Sequence, residues 1–150
     1  MLKLLPDVKD GSVLDLGCGF GDNCSCFANH GAKRVVGLDI SEKMLAHASK
    51  KKSHKKIVYL HMSMTALSLL NEKFDFIYSS LAFHYIEDFE KLSCDTYHLL
   101  NNNGILLFSQ EHPIVTSSVH ESNDYLRNDS GDAVSYCMAN YADRGIRRDT

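Results

Sequence analysis

The chain has 150 residues, of which 44% are hydrophobic and 23% charged, with 9 Gly, 2 Pro and a formal net charge of −3. That make-up describes one globular domain with a real core and excludes collagen-like, disordered and disulfide-stapled classes. The charge balance gives no case for nucleic acid or an anionic membrane as partner, and no apolar run approaches the roughly 20 residues of a membrane-spanning helix.

Met1 to Pro6 is too short for a cleavable leader. The odd set of five cysteines, Cys18, Cys24, Cys26, Cys94 and Cys137, therefore reads as reduced thiols in a cytoplasmic protein. None of them has the paired spacing of a metal site, so no metal is expected.

In chain order, Ser12 to Leu16 (SVLDL) is a short apolar run that stops at a glycine cluster, and Phe20 to His30 carries Phe20, Cys24 and Phe27 at helical spacing. These residues read as strand, glycine turn and helix. Gly31 suits a left-handed stop, and Arg34 to Leu38 (RVVGL) forms a second buried strand ending at Asp39. Ser41 is a good N-cap for a second helix, with Glu42 in its first turn and Met44, Leu45 and Ala48 on one face.

Ile57 to Leu60, Phe74 to Ser79 and Ile105 to Ser109 give three more strands; a helix over 88–99 lies between the last two, and Asn103-Gly104 turns the chain back. Strands that alternate with helices and are nearly continuously apolar indicate an α/β fold, a Rossmann-like, mostly parallel sheet with helices on both faces. The segment from Glu111 onward has weak periodicity and many Ser, Asn and Asp residues, and it is expected to be loop or lid with a short helix near Tyr136 to Tyr141. The division is 1–112 as the ligand-binding core and 113–150 as a loop or lid of the same domain.

The segment Val13 to Gly21 (VLDLGCGFG) places three glycines at alternate positions where a strand hands over to a helix. Glycine there permits positive φ and close approach of a ligand, while the helix N-terminus offers N–H donors to an anionic group. Dinucleotide folds also carry a glycine turn, but their GxGxxG pattern needs a glycine where this chain has Asp22. Asp15 would oppose a pyrophosphate and favour an ammonium or sulfonium. S-adenosylmethionine has that charge distribution, and Asp39, at the tip of the second strand, is placed to accept bonds from both ribose hydroxyls.

Val13 to Gly21, Val35 to Ile40 with Ser41 to Leu45 (SEKML), and Phe74 to Tyr85 (FDFIYSSLAFHY) resemble, in order and spacing, successive motifs of the class I S-adenosylmethionine-dependent methyltransferases. The resemblance spans roughly 12–113. It implies that Asp15, Gly17, Cys18 and Gly19 line the methionine end, that Asp39 holds the ribose and that Ile40 packs on the adenine. Ser63 stands where the family often has an acidic residue for the adenine amine, with Met64 beside it, and Ser79 completes the cofactor-binding set. His84 is the candidate catalytic base. The family sheet has seven strands, so this chain is expected to lack the last two, and the uncovered edge at Ile105 to Ser109 is expected to favour a homo-oligomer.

Other readings stand beside these. Asp15 and Asp39 could cap strand ends, His84 could be a structural histidine, and Glu111-His112-Pro113 could be a polar loop rather than part of the site. Lys50 to Lys56 (KKKSHKK) reads as a solvated loop, since no aromatic residues interleave it. The expected function is methyl transfer from S-adenosylmethionine to an O, N or C nucleophile of a small molecule, without nucleic acid or membrane. The alternatives are a cofactor-binding fragment or pseudoenzyme acting as a partner subunit and, less favoured, an NAD-type oxidoreductase domain.

Overall fold

The structure, a computed structural model, describes residues 4–112 and 125–136. Five strands form one sheet: β1 (Ser12–Leu16), β2 (Arg34–Asp39), β3 (Ile57–His61), β4 (Phe74–Ser80) and β5 (Leu100–Ser109). Three helices accompany them, α1 (Asp22–Asn29), α2 (Glu42–Lys51) and α3 (Phe89–His98). The strand order is β3-β2-β1-β4-β5 and every pairing is parallel, as the alternation of apolar strand and amphipathic helix predicts.

β1 is the centre of the sheet, and all five of its residues are buried. Leu14 and Leu16 pack with Val36, Leu38, Ile77 and Leu92 on one side. Val13 belongs to the other side, with Cys24, Phe27, Val35 and Phe76. From β1 the chain runs outward through β2 to β3 and then crosses back to β4 on the other side of β1, so the order reverses between β1 and β4. A crevice opens at the C-terminal ends of the strands at such a switch point.

Helix boundaries follow local chemistry. Ser41 caps α2, its Oγ accepting the Met44 N–H at 3.3 Å, and Lys50 and Lys51 sit favourably in the last turn. Asp88 caps α3 through the Lys91 N–H at 2.8 Å. α1 begins at Asp22 rather than Phe20, because Gly21 takes a left-handed φ of 78° and Phe20 remains in the glycine turn.

Two expectations need correction, the Asn103-Gly104 turn and the helix at Tyr136. Asn103-Gly104 is no separate turn: Leu100 pairs with Phe74 and Ile105 with Phe76, so 101–104 bulge within β5, and Asn103 absorbs the kink at a φ of 63°. The chain also divides into two compact units, Met1–Gln110 and Glu111–Thr150, and the second contains a hairpin of β6 (Tyr125–Arg127) and β7 (Ala133–Tyr136). Tyr136 is therefore strand, not helix; the rest of the expected Tyr136 to Tyr141 helix lies outside the described residues. Asn128 explains the hairpin, its Oδ1 accepting the N–H groups of Ser130 and Asp132 at 3.0 and 2.9 Å while Gly131 takes a φ of 85°. No helix among the described residues is long and apolar enough to cross a membrane.

Candidate functional site

At the C-terminal ends of β1, β2 and β4 lies a cleft of ≈ 610 Å³. Of the residues singled out by sequence, Gly17, Gly19, Asp39, Ile40, Ser63 and Met64 line it. The glycine turn forms its floor. Gly17 (φ 73°) and Gly19 (φ 52°) are left-handed, and a Cβ on Gly17 would lie 2.6 Å from the Ala82 Cβ, so only glycine lets the turn approach the β4 end this closely. The Gly17 and Cys18 N–H groups both donate to the Leu38 carbonyl, at 2.8 and 3.0 Å, which ties the turn to β2.

Asp39 organises the next wall. One carboxylate oxygen accepts the Gly19 N–H and the other the Ser41 N–H, each at 2.8 Å. The carboxylate thus bridges the glycine turn and the start of α2 while it stays half-buried in the cleft lining. Ile40 beside it is 71% exposed, an apolar face with no protein cover. Ser63 caps the short 3-10 turn Met64–Leu69 through the Thr65 N–H at 3.2 Å and bonds the Thr65 hydroxyl at 2.8 Å.

Asp15, Cys18, Ser79 and His84 are not in the lining. Asp15 is fully buried; its Oδ2 accepts the Cys24 thiol at 3.2 Å, while its Oδ1 has no hydrogen-bond partner. Burial pushes its carboxyl up to about 7, against the bond from Cys24 and assisted by the nearby charge of Asp39. The Cys24 thiol is itself pushed up by its bond with Cys18 and by burial. Cys18 and Cys24 are buried free thiols whose sulfur atoms would lie 3.0 and 2.7 Å from a Cβ on Gly37, which explains the glycine at that point of β2. Ser79 is buried and donates to the Leu16 carbonyl at 2.8 Å, so it stitches β4 to β1 behind the wall.

His84 is half-buried in the 3-10 turn Phe83–Tyr85, its Nδ1 has no partner, and its ring lies 4.2 Å from that of Tyr85. Sequence reasoning missed Met44, Met62, Leu81, Tyr85 and Ile86, which also line the cleft. Met44 and Tyr85 carried a signal: each is one position from an expected contact or on a face already identified, and Tyr85 closes the third motif.

The sequence profile of the family described as a methyltransferase domain matches residues 14–108, which carry the glycine turn, Asp39 and the β4 end. The chain belongs to the class I S-adenosylmethionine-dependent methyltransferases. An S-adenosylmethionine dependent methyltransferase from Mesorhizobium loti is similar in structure, with a TM-score of 0.83 and 36% identity over 93% of this chain and 63% of that one. A Haemophilus influenzae protein without an assigned function is 40% identical over 98% of this chain and 60% of its own length. A malonyl-[acyl-carrier protein] O-methyltransferase from Hamiltonella defensa is 32% identical over 73% of this chain and 41% of its own length. The chain thus spans less than two thirds of the length of these relatives.

Proposed function

We propose that the chain binds S-adenosylmethionine in this cleft and directs methyl transfer to an oxygen, nitrogen or carbon nucleophile of a small molecule, in the cytosol and without a nucleic-acid partner. The observation that carries the reading is the Asp39 carboxylate, set in the cleft lining between the glycine turn and the start of α2. Asp39 lines the cleft, and Asp15, two residues before Gly17, is fully buried outside the lining with one oxygen unpartnered. A pyrophosphate would meet the Asp39 carboxylate in the lining, whereas an ammonium and a sulfonium gain from it. The cleft volume falls within the roughly 300 to 1,000 Å³ of small-molecule sites.

The residues present fit the cofactor. Each Asp39 oxygen keeps a lone pair after its backbone bond and accepts a ribose hydroxyl. Exposed Ile40 packs on the adenine, and Ser63 and Met64 form the wall at its edge. Gly17, Cys18 and Gly19 offer a backbone that nothing larger than hydrogen crowds at the two glycines, with Asp15 behind them at the methionine end. Ser79 acts indirectly by fixing the ends of β1 and β4.

When bound, S-adenosylmethionine supplies an electrophilic methyl on a good leaving group. The protein's task is then mostly alignment and exclusion of water. His84, whose ring nitrogen lacks a partner beside Tyr85, is the candidate group to take a proton from an acceptor that must lose one.

Isothermal titration tests the proposal. S-adenosylhomocysteine is expected to bind more tightly than NAD. Asp39→Ala removes charged hydrogen bonds of about 1.5 to 3 kcal/mol, equivalent to roughly 10- to 150-fold weaker binding. Asp39→Asn should fall between, and Asp22→Ala, on the exposed start of α1, should change little. Tighter NAD binding, or wild-type affinity in Asp39→Ala, would defeat the assignment.

A further inference from the structure

A second cavity, of ≈ 390 Å³, lies between the segment that leads into β1 and the C-terminal half of α1. None of its lining residues belongs to the cofactor cleft. Leu5, Pro6, Val8 and Phe27 give it apolar walls. Val8 and Phe27 are buried core residues, and Leu5 packs against their cluster. The backbone ties these walls together: the Gly11 N–H donates to the Val8 carbonyl and the Asp10 N–H to the Gly31 carbonyl, each at 3.0 Å. Asp7, the acidic member of the lining, accepts the Lys9 N–H at 2.9 Å. The cavity is thus built by the fold, and its volume lies in the roughly 300 to 1,000 Å³ range of small-molecule sites.

Cys26 and His30, one helical turn apart at the end of α1, supply its chemistry. The His30 Nδ1 lies 2.8 Å from the Cys26 carbonyl oxygen and 3.5 Å from the Cys26 Sγ. A bond to a carbonyl requires a proton on Nδ1, so the ring directs one N–H toward both atoms. That N–H steadies the negative charge the sulfur carries when it acts as a nucleophile. Cys94 and His98 on α3 have the same four-residue spacing, and Cys94 is the more exposed thiol, but it lies outside this cavity. The apolar walls are what set Cys26 apart.

We propose that this cavity is a second small-molecule site, which takes a compact apolar compound with a carbon–carbon double bond conjugated to a carbonyl group and fixes it covalently on Cys26. The thiol gives its proton to water and the sulfur bonds to the β-carbon. The π electrons pass through the enolate to the α-carbon, where water returns a proton, so nothing is oxidised or reduced overall. Addition also releases no anion, which suits a cavity whose lining holds the Asp7 carboxylate. An apolar body is favoured because it covers the Leu5, Val8 and Phe27 surface. The proposal stands independently of the methyltransferase reading.

Two probes of this reactive class test it on the full chain, apolar N-cyclohexylmaleimide and small, polar acrylamide, with labelling rates read by peptide mass mapping. The ratio of the Cys26 rate to the Cys94 rate is expected to be about tenfold higher for the maleimide than for acrylamide, on the scale of covering one apolar ring. Excess N-cyclohexylsuccinimide, the saturated and unreactive analogue, should slow labelling of Cys26 and not of Cys94. His30→Ala should slow Cys26 with both probes and leave Cys94 unchanged, and Leu5→Asn should bring the maleimide ratio down toward that of acrylamide. Equal ratios for the two probes in the wild-type chain, no protection by the succinimide, or a Cys26 that neither probe reaches overturns the proposal. A His30→Ala variant that labels as wild type does overturns the role given to His30.

Discussion

Asp15 makes the ligand-free fold less stable as pH rises, and the size of the effect can be worked from its surroundings. The carboxyl is fully buried, accepts a single thiol donor and titrates near 7 in the folded chain against an ordinary value of 3.8. Below pH 3.8 it is protonated in both folded and unfolded states and has no effect. Between 3.8 and about 7 the folded state keeps a proton that the unfolded state has released, so stability falls with rising pH and the full deficit is reached above about 7. At about 1.4 kcal/mol per pH step the deficit is on the order of 4 kcal/mol.

Asp15→Asn cannot ionise and keeps the acceptor for Cys24. Urea unfolding of both proteins at pH 4, 5.5, 7 and 8.5, taken as a difference to cancel other titrations, should show near-equality at pH 4. The variant should gain stability progressively and lead by up to about 4 kcal/mol at pH 8.5. The same variant should bind S-adenosylhomocysteine less well, because the carboxyl behind the glycine turn can no longer become an anion. A stability difference that stays flat across the series would refute the reasoning, and one that shrinks with pH would reverse its sign.

Gly17→Ala combines a left-handed backbone with a Cβ 2.6 Å from that of Ala82, so the fold should lose at least about 1 to 2 kcal/mol in chemical unfolding. Calorimetry should show S-adenosylhomocysteine binding largely abolished. Replacing Lys50, Lys51 and Lys52 together by Ala should leave methyl transfer close to wild type. The Lys52–Asp22 pair at 2.7 Å joins a half-buried lysine to an exposed aspartate and contributes under about 1 kcal/mol. A large activity loss together with salt-sensitive RNA binding would contradict that expectation.

The parallel core was legible because each of its strands is a nearly unbroken apolar run, and Ser41, Gly31 and the glycine turn punctuate it with unambiguous chemistry. Adjacent identical residues were not legible. Ser79 and Ser80 sit side by side in β4, and strand alternation sends Ser79 back onto the Leu16 carbonyl and Ser80 into the cleft. Likewise Cys18 lies between two cleft-lining glycines yet turns inward onto Cys24, since packing rather than motif position decides a loop side chain's direction. The bulge at 101–104 was hidden because Asn103-Gly104 has the chemistry of a turn, and only the pairing on both sides of it shows that the strand continues. The hairpin of β6 and β7 did leave a signal, the Asn128 to Asp132 run between two short apolar segments, but those segments are too brief to stand out by periodicity.

The central position of β1 also bears on how the chain is made. Its second partner, β4, lies 63 residues downstream, as the Ser79 bond to Leu16 measures. At a synthesis rate of about 5 to 20 residues per second, β1 emerges from the ribosome roughly 3 to 13 s before β4 can join it. During that interval only β2 and, beyond it, β3 can join the sheet, so β1 keeps an open edge where β4 belongs. The one strand of the sheet whose residues are all buried is thus synthesised before the other four yet waits for β4 to cover its second edge, which makes the nascent chain a natural client for a holding chaperone.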